Sequence, residues 1–197
     1  MSTATTAAAE QKLSAAEIGQ GRSYLEQTLI LVVGATKGLS GTQWEFKPSP
    51  EQWSLAQTLE HIVVVQELII GRVRDQLPSA PPPLERDTQE VDAVVMYHFA
   101  GRLMKFKGPD VLMPTGRWTP DEALDRFLEN SATLTQLLES TPGLRAHGLD
   151  SPPLKAVTQG KHQVMDGYQL ILVAGSHTER HVKQMLEVKA HADFPQN

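Results

Sequence analysis

The chain has 197 residues, 40% of them hydrophobic and 21% charged, with a formal net charge of −5 and a sequence pI near 5.8, an ordinary globular composition with enough length for one good core or two small ones. The acidic balance argues against a nucleic-acid partner, since phosphate binding wants clustered Lys and Arg and no basic run exceeds two residues. There is no cysteine, which excludes a disulfide scaffold, a thiolate metal site and a cysteine nucleophile.

Residues 1–12 are small and polar and read as a disordered N-terminus, without the basic start and apolar core of a secretory signal. With the missing cysteines, this predicts a cytoplasmic protein. The longest apolar runs, LILVVGA and LILVAG, fall far short of the roughly 20 residues of a spanning helix, so no membrane partner is expected.

The first helix is predicted over Leu13 to Leu39, with Ser14 and Glu17 as a capping box and Ile18, Leu25, Leu29, Val32 and Val33 as its stripe. Gly34, Gly38 and Gly41 mark its end; no phosphate-loop pattern is present. Gly41 to Trp53 reads as a loop packed down by its tryptophans. Ser54 and Gln57 form a second capping box, opening a helix from Leu55 to Leu77 that is apolar over more than half its circumference. His61 lies in it, and its one-turn neighbours Gln57, Thr58, Val64, Val65 and Leu68 direct it inward.

The run PSAPPP at 78–83 stops this helix. Thr88 to Lys105 reads as a shorter helix carrying Val91, Val94, Val95, Phe99 and Leu103, with His98 within it. A loop follows. The excursion over 78–118 either covers the mouth of a site or is a plain surface loop. Thr119-Pro120-Asp121-Glu122 is the clearest helix start: a capping Thr, Pro at the first position and Glu at the third. Ala123, Phe127, Leu134, Leu137 and Leu138 carry the stripe to Ser140. Residues 144–165 read as another loop, and its His147 and His162 are expected to be solvated.

The last helix, Tyr168 to His191, contains His177 and His181, four residues apart. At about 100° per residue this spacing puts both imidazoles on one face. Leu170, Val173, Ala174, Gln184, Met185 and Val188 share that face, and Glu179, Lys183 and Glu187 form a charged row opposite. The histidines therefore point inward. Either they are neutral core histidines, or they are part of a metal site completed by His61, since three imidazoles on two facing helices can hold a divalent ion with an open position.

Four long helices joined by Pro/Gly-rich loops, with no convincing strand, predict an all-α four-helix bundle in one domain, 13–197, with an additional short helix or loop excursion around 84–118. Three segments carry a resemblance to a known family: PSPEQWSLAQTLEHIVVVQE at 48–67, GRWTPDEALDRFLENSATL at 116–134, and MDGYQLILVAGSHTERHVKQM at 165–185 with its H-x-x-R-H-x-x-Q pattern. In order and spacing, from about residue 20 to 190, the chain resembles the DinB-like (DinB/YfiT) superfamily of metal-dependent enzymes. The resemblance implies an up-down-down-up bundle, often a homodimer. It also implies that His61, His177 and His181 bind one divalent metal, zinc or nickel. Characterised relatives are thiol-dependent S-transferases and isomerases using a low-molecular-weight thiol, and some hydrolase-like members, all acting on small-molecule substrates. The 78–118 stretch is longer and more proline-rich than that pattern.

Three histidines and an open position are a catalytic-type donor set. Arg180 and Gln184 are candidates beside it: Gln184 to hydrogen-bond near the site, Arg180 to orient a carboxylate or to pair with Glu179 or Glu187. Glu60, Glu67 and Asp166 are candidates to hold the outer imidazole nitrogens. The competing reading is a non-catalytic binding or stress-response bundle in which the histidines hold a structural metal or fill the core.

Overall fold

A computed structural model describes residues 12–83, 86–101 and 108–196. The disordered start predicted for 1–12 lies, apart from Lys12, outside the described residues, as do Leu103 and Lys105 at the end of the predicted third helix. The elements are α1 (Ala15–Thr36), α2 (Gly41–Glu45), α3 (Leu55–Gly71), α4 (Thr88–His98), α5 (Pro120–Ser140), β1 (Gly148–Asp150), α6 (Pro152–Val157), β2 (Val164–Asp166) and α7 (Gly167–Lys189). Helix starts are set locally. Ser14, Ser40, Ser54, Thr119 and Asp166 each accept the backbone N–H three residues on, and the Glu or Gln there reaches back to the cap's own N–H.

The four long helices α1, α3, α5 and α7 form an up-down-down-up bundle, and two apolar clusters fix their directions. One cluster joins Leu25, Val65, Ile69, Leu134, Leu138, Tyr168 and Ile171. The other joins Val32, Leu55, Leu59, Ala123, Phe127, Met185 and Val188. Moving from the first cluster to the second, residue numbers rise along α1 and α7 and fall along α3 and α5. Helices α1 and α7 therefore run parallel, and α3 and α5 run against them. Among the described residues no helix is long and apolar enough to cross a membrane.

Several boundaries differ from the sequence expectation. Helix α1 stops at Thr36 because Lys37 turns extended and Gly38 takes a positive φ of 70°, open to glycine at little cost, before Ser40 caps α2 inside the expected loop. Helix α3 ends its regular bonding at Gly71. The chain then widens so that Leu77 N–H reaches Arg72 O, five residues back, and Val73 and Leu77 stay buried up to the prolines. The 144–165 loop contains a small antiparallel pair, Leu149 opposite Met165, and the short α6. Three-residue strands are too short to show an alternation in sequence.

Gly167 sits where α7 begins beneath the 144 turn, its N–H donating to Leu144 O at 2.7 Å. A Cβ there would lie 2.5 Å from Leu77 Cδ2, 2.6 Å from Leu144 Cδ2 and 3.0 Å from Leu144 O. Gly167→Ala is therefore expected to destabilise the fold by about 1–3 kcal/mol, the usual cost of overpacking. Urea denaturation reads it, and unchanged stability would contradict the close approach.

Candidate metal centre

His61 projects from the middle of α3 and His177 and His181 from α7, at the level where the two apolar clusters meet. The Nε2 atoms of His61 and His177 are 3.1 Å apart. Ring centroids are separated by 4.9 Å for His61–His177, 4.6 Å for His61–His181 and 4.4 Å for His177–His181. One nitrogen of each ring lies within 4.8 Å of the others, and no further Asp, Glu or His joins the group among the described residues. His61 and His181 are buried; His177 is half-buried.

The outer nitrogens of His61 and His181 are held by neutral oxygens. His61 Nδ1–H donates to the Leu112 carbonyl at 2.8 Å, and His181 Nδ1–H donates to Gln184 Oε1 at 2.9 Å. A proton committed to Nδ1 leaves the Nε2 lone pair of a neutral imidazole available. Burial pushes the His177 ring well below its ordinary pKa, with the charges of His181, His61 and Arg180 adding to the effect. Burial also lowers His61, partly offset by its bond to Leu112. His61 and His177 are thus neutral at neutral pH, the state a metal ligand requires.

A pH dependence follows for the metal-free protein. Because the folded-state values of His61 and His177 are depressed, the native state binds fewer protons than the unfolded chain below the ordinary value of 6.5. Stability is intact above that value and falls as pH drops from it toward the folded values. The slope is at most about 1.4 kcal/mol per pH unit for each imidazole. Denaturation of chelator-treated protein between pH 7 and 5, beside His177→Ala, is expected to show a shallower loss in the variant. Equal slopes would contradict it.

The carboxylates proposed for the outer imidazole nitrogens are elsewhere, because each has stronger donors nearby. Glu67 lies 3.5 Å from Arg126 at the surface. Asp166 caps α7 and pairs with Arg145 and Arg86. Glu60 accepts from the backbone of Thr115 and Gly116. Glu179, one expected partner for Arg180, instead takes Lys183 at 2.7 Å and the Tyr24 hydroxyl at 2.7 Å. Arg180 is half-buried beside the histidines, and its charge reaches His177. His98 is exposed at the end of α4. His147 and His162 are not solvated, as expected of loop histidines, but used within the fold: His147 Nδ1–H donates to Ala80 O at 2.6 Å, and His162 is buried with Nε2 3.2 Å from Glu90.

Two contributors are not among the site residues expected from the sequence. Trp53 lies 4.8 Å from the His61 ring and stacks at 6.1 Å over His181, so the residue before the α3 cap is a wall of the site. Leu112 contributes a backbone oxygen, which any residue could supply.

The family model for the DinB superfamily matches residues 24–185, a span that includes all three histidines and the cap of every long helix after α1. The chain belongs to the DinB superfamily. It is similar to an uncharacterized protein, YuaE, of Bacillus subtilis (strain 168), 24% identical over 153 residues that make up 78% of this chain and 87% of that protein. No solved structure gives a significant match. The DinB superfamily is metal-associated, and the donor set here fits a divalent transition metal: three imidazoles, no thiolate, and one ligand fewer than a closed structural zinc site.

Proposed function

We propose that this DinB-superfamily protein is a divalent-metal-dependent enzyme that holds zinc or nickel through His61, His177 and His181. Its reaction on a small molecule is a thiol-dependent S-transfer, with a low-molecular-weight thiol as co-substrate, or a hydrolysis. The observation that carries the reading is the convergence of three imidazoles, two with Nδ1 committed to an acceptor oxygen, within 4.8 Å. When bound, the ion supplies a Lewis acid that activates an oxygen or sulfur nucleophile. The protein's own part is positioning. Leu112 and Gln184 fix two tautomers, Trp53 shields one side from water, and Arg180 adds positive potential that favours an anionic group such as a thiolate.

Apolar clusters on both sides of the histidines support an ion that serves chemistry rather than folding. Elemental analysis of protein purified without a His tag tests the reading. About one zinc or nickel per chain is expected. Chelator treatment is expected to remove it from a protein that stays folded. Unfolding on chelation would instead support a structural metal, and failure to take up either ion would support core histidines.

A further inference from the structure

Glu60 immediately precedes His61 on α3, and its carboxylate is buried, with a side chain only 4% exposed. It does not touch an imidazole. Oε1 accepts from Thr115 N at 2.8 Å and lies 3.4 Å from the Thr115 hydroxyl; Oε2 accepts from Gly116 N at 2.9 Å. Arg117 Nε lies 3.5 Å from Oε1 and also donates to the Thr115 hydroxyl at 3.1 Å, while its Nη2 donates to Val111 O at 3.0 Å. Carboxylate and guanidinium thus pin both ends of one short turn. That turn carries Leu112, whose carbonyl takes the Nδ1 proton of His61. Two adjacent helix residues therefore hold the same loop, Glu60 by its N–H groups and His61 by one of its carbonyls.

Burying a carboxylate is costly unless its oxygens are satisfied. Here the donors that satisfy Glu60 are almost all from the 115–117 turn, so the carboxylate and this loop conformation stabilise each other. The loop in turn has one carbonyl aimed at a ring whose tautomer and rotation decide where Nε2 points. We infer that Glu60 is a positioning residue for the metal centre, acting on His61 through the 111–117 loop and the Leu112 carbonyl. This inference rests on the three-histidine reading above. An outer carboxylate that orients a ligand is a familiar device. In this chain the orientation passes through backbone amides instead of a direct carboxylate–imidazole bond.

The test uses the full chain and Co(II), whose visible spectrum reports coordination geometry, with affinity read by competition against a chromophoric chelator. Glu60→Gln keeps the volume but sets an amide N–H₂ against one of the loop N–H groups. It is expected to weaken Co(II) binding about 10- to 100-fold and to change the spectrum, as loss of outer-shell orientation does. Arg117→Ala, at a side chain 33% exposed and so safe for folding, is expected to move both readouts the same way by less. If wild type binds Co(II) and both variants match its affinity and spectrum, even with lowered Tm, Glu60 has a structural role alone and the inference is overturned. If wild type takes up no Co(II), the three-histidine reading fails first and the inference falls with it.

Discussion

His177→Ala is expected to abolish stoichiometric metal while leaving the bundle folded. The ring is central to the group: its Nε2 faces His61 Nε2 at 3.1 Å, and its centroid is 4.4 Å from that of His181. Removing it leaves two imidazoles, one from each helix. Loss of an outer-shell partner alone weakens metal sites by about 10- to 100-fold, so loss of a ligand is expected to exceed about 100-fold. The fold should survive because the half-buried ring lies between the apolar clusters and belongs to neither. Alanine is also a strong helix former and suits the middle of α7. The measurements are metal content by mass spectrometry and circular dichroism on the same sample. A folded variant with full metal content would remove His177 from the site, and with it the site as drawn.

The second large effect lies at the end of the bundle where the first long helix and the last one begin. Arg145→Ala is expected to cost about 3–5 kcal/mol, because it breaks a buried ionic cluster by removing its shared partner. The guanidinium, with a side chain 10% exposed, reaches Glu17 at 2.8 Å, Asp92 at 2.6 Å and Asp166 at 2.9 Å, and lies 4.3 Å from the centre of the Tyr168 ring. It thereby joins the start of α1, the middle of α4 and the cap of α7. Burial works against its charge, but the bonds to Asp92 and Asp166 more than offset this and hold it above its ordinary value.

Asp166 shows what would be left behind. Its side chain has no exposed surface. Burial already pushes its carboxyl above the usual range, against the opposing pull of Arg145, its Gln169 bond and Arg86. Without Arg145, Arg86 would be the one remaining cation on it among the described residues, at 3.2 Å. A loss of this size is a large fraction of the roughly 5–15 kcal/mol that holds a domain together. Arg145→Lys is not expected to rescue it, since one ammonium cannot reproduce the fork that spans three carboxylates. Urea denaturation measures both variants, and a loss below about 1 kcal/mol for Arg145→Ala would show that the cluster contributes little net stability.

The sequence by itself determined where the long helices start and which way their faces point, because both depend on residues three and four apart. Ser54 with Gln57 and Thr119 with Glu122 cap their helices within a single turn. The same periodicity placed His177 and His181 together on the inner face of α7 and turned His61 inward on α3. The three matched segments then tied that pattern to a family and its bundle.

Only the tertiary structure decided what surrounds those rings. The carbonyl that orients His61 comes from 51 residues away, and a carbonyl is common to every residue. Glu60 was legible as an acid beside a histidine, yet its partners are the N–H groups of a loop 55 and 56 positions on. Arg145 meets Glu17 across 128 residues of chain and Asp92 across 53. Helix caps and faces follow from bonding within a turn or two of the chain. Partners at these separations exist only once the bundle has closed, because closure selects which of many equivalent polar groups come within reach of one another.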